Sequence, residues 1–337
     1  MTRTTEVGRD LIKSLAPLVE RTARRRRQIA MGGQASAQCE AVTPEPPRVF
    51  PLRRGHTGQA VRDLQRALGV PSDGQFGPIT EDMVRRLQAA RALPDEPGVA
   101  DRWTQAQLGC PYVIGVDVYN STGPVDWHKA KASGVSFGFA KASQHRADAR
   151  IRENVAGAAA AGVPLGAYFY ADVTATPGVN VLRFLSALGG RYDLPLPPVL
   201  DQETGTADEV KAGLWTRERQ RWLRGWTADA LKALADRTGR RPLLYTSARR
   251  LNTYMDGGDG LSAFADLWIV RYDDDDPDPC EDGCPAGWDR WRVWQLGSDC
   301  RVRWAIDGIR PGRKYPNALD VDVCDGAWLR SVVGAAS

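Results

Sequence analysis

The feature that most limits how this chain can fold is an alternation running from Tyr112 towards its end. Val113 to Val118, Val135 to Ala140, Leu165 to Tyr170, Pro198 to Glu203, Leu243 to Thr246, Leu267 to Val270, Val293 to Leu296 and Leu319 to Val323 read as short strands, with helical stretches between them. Three of those helical stretches end in glycine just before a strand, at Gly134, Gly162 and Gly239. Glycine tolerates the left-handed backbone that stops a helix, so each reads as a helix-to-strand joint. Strands and helices in turn predict a parallel sheet covered by helices. Eight strands over about 220 residues favour closure into a modified TIM-like (β/α) barrel rather than an open sheet.

A barrel presents its chemistry at the C-terminal ends of its strands. Asp117, Lys141, Tyr170, Glu203, Thr246, Arg271, Gln295 and Asp320 fall at or near such ends, one from each predicted strand. The sharpest local signal is Val199-Leu200-Asp201-Gln202-Glu203-Thr204-Gly205, a buried-strand pattern that finishes in two carboxylates. Residues two apart on a strand share a face, which points Asp201 and Glu203 the same way. Hydrolysis of a sugar-sugar bond uses such a pair: one carboxylic acid protonates the leaving oxygen, and a second carboxylate handles positive charge or a nucleophile. Crowded like charges also keep one acid protonated near neutral pH. An isolated Asp-x-Glu at a strand end is more often a solvated cap. The convergence of eight strand ends therefore weighs more than the motif.

Composition bounds the answer without choosing it. A hydrophobic content of 42% and a charged content of 26% are ordinary for a globular chain, and no stretch approaches the roughly 18 apolar residues of a membrane span. The net charge of +4 is localised: residues 1–50 hold nine Lys or Arg against five acids, and the remainder is balanced. Within that arm Leu11, Ile12, Leu15, Leu18 and Val19 lie at helical spacing ahead of Arg24 to Arg27, and no secretory signal is written there. Residues 1–50 are expected to be a mobile basic arm ending in a Pro-rich linker, Thr43 to Pro47. An anionic polymer, a membrane surface or a particle protein would suit its charge, and no specific nucleic-acid site is indicated.

The six cysteines are too few for a disulfide scaffold in a chain this long, and Cys280-x-x-x-Cys284 lacks both a second pair at zinc spacing and a nearby His. No metal site is expected. His128 and His145 read as surface residues, Asp273 to Asp276 as a solvated loop without EF-hand spacing, and Trp222 and Trp226 as core at helical spacing.

Residues 51–109 form a separate pattern. Val61, Leu64 and Leu68, then Met83, Val84 and Leu87, recur at helical spacing on either side of Ser72-Asp73-Gly74-Gln75-Phe76-Gly77-Pro78, and a third short helix spans Asp101 to Leu108. Leu52-Arg53-Arg54-Gly55, Val61-Arg62-Asp63-Leu64-Gln65, Asp73 to Pro78 with Thr80, Leu87-Gln88 and Trp103 to Leu108 resemble the three-helix peptidoglycan-binding domain appended to many wall-lytic enzymes. Leu87 stands where that family usually has an aromatic ring.

A second resemblance covers residues 112–330. Gly115-Val116-Asp117-Val118, Val125-Asp126-Trp127, Lys141-Ala142-Ser143, Gly166-Ala167-Tyr168-Phe169, Leu200-Asp201-Gln202-Glu203, Leu243-Leu244-Tyr245-Thr246, Leu267-Trp268-Ile269, Trp294-Gln295 and Leu319-Asp320 follow in order the motifs of glycoside hydrolase family 25. The resemblance implies an N-acetylmuramidase that cuts the β-1,4 bond between N-acetylmuramic acid and N-acetylglucosamine, without a cofactor. It implies Glu203 as general acid, and Asp201 as the carboxylate that stabilises an oxocarbenium-like centre or orients a substrate acetamide. Asp117 and Asp320 would be further acids of the active face. Lys141, Tyr168, Tyr170, Tyr245, Arg271, Trp294, Gln295 and Asp322 would bind substrate. Gln144 departs from a usual Glu, Asn120 from a usual Ser, and Asp322 from a more usual Asn. The expected organisation is then a basic arm, a wall-binding helical domain and a muramidase barrel, made in a cytoplasm and released to the wall as an endolysin or a particle-associated lysin. The rival reading is a barrel that grips glycan without cutting it.

Overall fold

The computed structural model describes residues 49–109, 111–272, 280, 284–297, 306–309 and 319–334. The basic arm as far as Arg48, the Pro-rich linker, Asp273 to Asp276, Cys39, Cys110 and Cys300 lie outside the described residues.

Three helices come first: α1 (Gln59–Leu68), α2 (Pro78–Arg91) and α3 (Arg102–Leu108). They are built on one device used twice. Gln65 of α1 is buried, and its amide donates to Asp73 Oδ1 (2.7 Å), the Gln75 carbonyl (3.0 Å) and Thr80 Oγ1 (3.1 Å) while its oxygen accepts from Gly74 N (2.8 Å). Gln88 of α2 repeats the pattern, donating to the Glu96 carbonyl (3.2 Å), the Val99 carbonyl (2.8 Å) and Thr104 Oγ1 (3.1 Å) and accepting from Gly98 N (2.9 Å). Each loop is wound round a glutamine from the helix before it and tied to a threonine in the first turn of the helix after it. Gln105 of α3 then joins the unit to the first strand of the barrel, donating to the Phe50 carbonyl (2.7 Å) and accepting from Tyr112 N (2.9 Å).

Eight strands close that barrel in sequence order: β1 (Tyr112–Val118), β2 (Phe137–Ser143), β3 (Leu165–Tyr170), β4 (Val199–Asp201), β5 (Leu243–Thr246), β6 (Asp266–Val270), β7 (Trp291–Gly297) and β8 (Asp320–Asp325). The joints at Gly134, Gly162 and Gly239 all have positive φ, as the sequence predicts. The expected all-parallel sheet is corrected at one strand, because β8 pairs antiparallel with both β7 and β1. An antiparallel neighbour needs no crossover helix to bring the chain back to its starting end. Asp320 is therefore the first residue of β8, not one near its C-terminal end, and the reversal puts it on the rim where the parallel strands finish, opposite Asp117 in register. A second correction concerns Glu203, which lies two residues beyond the end of β4.

The outer layer comprises α4 (Trp127–Ala132), α5 (Ile151–Ala161), α6 (Pro177–Ala187), α7 (Ala207–Lys211), α8 (Arg217–Thr238), α9 (Ala248–Tyr254) and α10 (Gly326–Gly334). Trp226 of α8 is buried and donates to the Ala175 carbonyl (3.1 Å), but Trp222, one turn earlier, is 49% exposed rather than core. Inside the barrel Phe137, Phe139, Val199, Leu243 and Val293 form one apolar cluster. The neighbouring inward positions Gly115 and Gly166 leave room for the two rings, since a Cβ on either would collide with Phe137 or Phe139. This filling closes one end of the barrel and leaves a polar mouth at the other.

The helical unit is bonded to the barrel along β1 and β7. Asp63 of α1 accepts from the Tyr112 hydroxyl and from Arg290 Nη2 (2.8 Å), and Gln59 donates to the Trp291 carbonyl (3.3 Å). Cys280 and Cys284 form a disulfide, which is how that pair is used.

Candidate active site

The barrel mouth holds a pocket of about 300 Å³. Among the described residues four carboxylic acids line it: Asp117 from β1, Asp201 from β4, Glu203 just beyond β4, and Asp320 from β8. Lys141 is the one cation among the described lining residues. Asp117 and Asp201 are nearly inaccessible, whereas the Glu203 side chain is 29% exposed and so faces the opening.

The strand end that carries Asp201 and Glu203 is pinned from outside. Gln202 points away from the pocket, its amide donating to Thr227 Oγ1 of α8 (3.1 Å) and its oxygen accepting from Thr204 N (3.1 Å). Alternation then turns both acids inward. Arg250 of α9 donates to the Glu203 and Gly205 carbonyls and sets Nη2 3.8 Å from Glu203 Oε1. Gly205 takes φ +107°, and a side chain there would enter the Tyr254 ring, so the turn after the acids is reserved for glycine.

Burial controls the protons. It pushes Asp117 up to about 7, opposed by a hydrogen bond from Gln295 and aided by repulsion from Glu203. It pushes Asp320 to about 9, with Asp117 and Glu203 adding to the rise. Asp201 is raised well above the usual carboxylate range by burial and by Glu203, Lys141 acting against them. Its Oδ1 has no hydrogen-bond partner among the described residues. Burial lowers Lys141, and Asp201, Asp148 and Glu203 partly restore it. Four acids in so little water cannot all ionise, so the mouth as a whole retains protons near neutrality.

A relay orients one of them. The Tyr245 hydroxyl (2.7 Å) and the Tyr272 hydroxyl (2.8 Å) both donate to Gln295 Oε1, which turns Gln295 Nε2 onto Asp117 Oδ2 at 2.6 Å. With its carbonyl claimed twice, the amide can offer Asp117 only a donor.

Comparison with known proteins gives the chain a family. Residues 116–303 match the family model described as glycosyl hydrolases family 25. The chain belongs to that family. It is 30% identical over 220 residues to Lysozyme M1 of Streptomyces globisporus, covering 64% of this chain and 70% of that protein. Among solved structures, the bacterial lysozyme of Streptomyces coelicolor is 25% identical with a TM-score of 0.56, covering 67% of this chain and 98% of that one. A family 25 lysozyme of Aspergillus fumigatus is also 25% identical, with a TM-score of 0.53 over 66% of this chain and 99% of that one. This family 25 chain is a glycosidase of the lysozyme type.

Most residues expected at the family's active face do meet there: Asp117, Asp201, Glu203, Asp320, Lys141, Tyr168, Tyr170, Tyr245 and Gln295 all line the pocket. Three do not. Trp294 is buried on the outer face of β7, its ring 5.8 Å from Phe50 and its Nε1 donating to the Arg271 carbonyl (3.1 Å). Successive strand residues point to opposite faces, so an inward Gln295 forces Trp294 outward. Arg271 is displaced by the same parity, and it is Tyr272 that reaches the mouth. Asp322 does face inward but lies below the pocket, fully buried, with Oδ1 accepting from Trp268 Nε1 (3.1 Å). Tyr119, Trp268 and Tyr272 line the pocket although the motifs do not single them out for it. Each stands two or four residues from an inward position, so the period-two pattern contains the signal. Among the described residues no helix is long and apolar enough to cross a membrane.

Proposed function

We propose that the chain is an N-acetylmuramidase that cleaves the β-1,4 bond between N-acetylmuramic acid and N-acetylglucosamine in peptidoglycan. The observation that carries this reading is the meeting of Asp201 and Glu203 with two further acids in one mouth of a family 25 barrel. Glu203, nearest the opening, donates a proton to the bridging oxygen. Asp201, buried beside it with an Oδ1 that has no partner among the described residues, accepts from the substrate acetamide N–H and holds the acetamide oxygen against the anomeric carbon. The acetamide then assists departure of the leaving sugar, and water completes the hydrolysis. Asp117 stands under the developing positive charge, oriented by Gln295. Tyr168, Tyr170, Tyr245 and Tyr272 supply ring faces and hydroxyls to the sugars, as aromatic walls do in carbohydrate sites.

The helical unit would hold the enzyme to the wall, supported by its likeness to peptidoglycan-binding domains, while the basic arm would add attraction to anionic wall polymer or to a particle. Mass spectrometry of digested wall tests the central claim. Reducing-end muramic acid is expected from the wild type and none from Glu203→Gln; reducing-end glucosamine or freed peptides would overturn it.

A further inference from the structure

We propose that the barrel carries a side subsite for the acidic peptide borne by its glycan, branching from the catalytic mouth across Lys141. The proposal rests on the muramidase reading above and adds what recognises the part of the substrate that is not sugar. A second cavity, of about 530 Å³, shares Lys141 with the catalytic pocket and includes Gln144, Arg146 and Asp148. A third, of about 620 Å³, shares Arg146 and Asp148 with the second and continues to Arg152 and Arg183. The three cavities are neighbours, each sharing lining residues with the next.

The two branches differ in charge. Among the described lining residues the mouth sets four carboxyl groups, three of them raised by burial, beside Lys141, while the side branch adds three guanidinium groups, one of them held by Asp172, and one carboxylate, Asp148. Asp148 is already engaged, accepting from Asn120 N (3.0 Å) and Arg150 N (2.8 Å). Arg183 is held by Asp172 at 2.8 Å. Lys141 donates to the neutral oxygen of Gln144 (3.1 Å), and Asp148 acts on its charge from this side without a hydrogen bond to it. The guanidinium groups of Arg146 and Arg152 are exposed and make no hydrogen bond or ion pair with any described residue. Ala147, Ala149, Ile151, Leu182 and Ala187 give the same cavity an apolar lining.

A peptidoglycan strand is weakly charged along its sugars and strongly charged along its peptide, which leaves the muramic acid ring sideways and carries free carboxylates among alanine methyls. A glycan in the mouth, whose acids largely keep their protons, would have that peptide drawn to the branch. Guanidinium groups suit carboxylates through paired N–H donors, and the apolar lining suits the methyls.

The test uses the full chain and three soluble substrates: peptide-bearing glycan strands, the same strands stripped of peptide by an amidase, and peptide-bearing strands freed of phosphate polymer. Arg146→Gln with Arg152→Gln is expected to lose about tenfold in kcat/KM on both peptide-bearing substrates, chiefly through KM, and to match the wild type on stripped glycan. An equal loss on all three, or no loss on any, overturns the subsite. A loss that disappears once phosphate polymer is removed assigns the arginines to that polymer instead and also overturns it. Failure of the wild type to release reducing-end muramic acid from any substrate would sink the muramidase reading itself, an outcome distinct from these.

Discussion

The helical unit and the barrel mouth both bury polar side chains, and they treat them in opposite ways. In the helical unit Gln65 and Gln88 are neutral, and each satisfies the loop it anchors, its two amide N–H groups shared among three acceptors and its oxygen accepting one bond. In the mouth and just below it the buried groups are acids without adequate partners: Asp201 Oδ1 and Asp322 Oδ2 have none among the described residues, and burial drives Asp117, Asp201, Asp320 and Asp322 upward. A satisfied buried network fixes a shape, whereas an unsatisfied one stores a proton or awaits a ligand. The contrast separates structural polarity from chemical polarity within one compact unit.

Two substitutions should pull the regions apart most strongly. Glu203→Gln should cost about a thousandfold or more in kcat on soluble glycan, the range for loss of a general acid. It should leave the melting curve nearly unmoved, since Glu203 is partly exposed and its bonded carbonyl is main chain. Gln65→Leu should do the reverse. It strands the Gly74 N–H and Thr80 in a buried loop and should cost about 3 kcal/mol of stability by denaturant titration, with kcat on soluble glycan unchanged. A melted Glu203→Gln, or a fully folded Gln65→Leu that has lost kcat, would erase the distinction.

A smaller effect sharpens it. Asp322 is raised by burial first and by Asp117 and Asp320 next. Its folded form keeps a proton that the unfolded chain releases near pH ~4, so its contribution is intact below that pH and is lost progressively above it. Asp117 and Asp320 extend the same slope towards about 7 and about 9. The protein should therefore lose stability as pH rises from about 4 into the alkaline range. Asp322→Asn should melt higher than wild type at about pH 8, with the gap closing towards about pH 4 and the Trp268 bond retained.

How much of this can be read from the chain depends on which period is followed. The eight strands, their glycine joints and the acids Asp117, Asp201 and Glu203 are legible because apolar runs and strand ends are local signals. Trp294 and Arg271 are misplaced, and Tyr272 is missed, where motif proximity overrides alternation: Gln295 and Trp294 cannot share a face. The direction of β8 is illegible, since a strand reads the same in either sense and only pairing fixes which end carries Asp320. The glutamine hubs are hidden because glutamine on a helix usually faces water, and their partners lie 8 to 16 residues away.

The subtlest prediction concerns Gln295, which belongs to the mouth but behaves like the glutamines of the helical unit. Two tyrosine hydroxyls occupy its oxygen and one acid receives its amide, so it is a satisfied hub placed among unsatisfied acids. Its N–H favours the ionised form of Asp117 and opposes the burial that raises that acid. Gln295→Met keeps the volume and removes the donor, so Asp117 should hold its proton to a pH about one unit higher. The expected outcome is a kcat/KM profile whose Asp117-dependent limb moves to higher pH, with little loss on the plateau above it. A purely structural role would lower the profile at every pH without moving the limb. A shifted limb would show that the hub device seen in the helical unit is used at the barrel mouth to set a proton affinity.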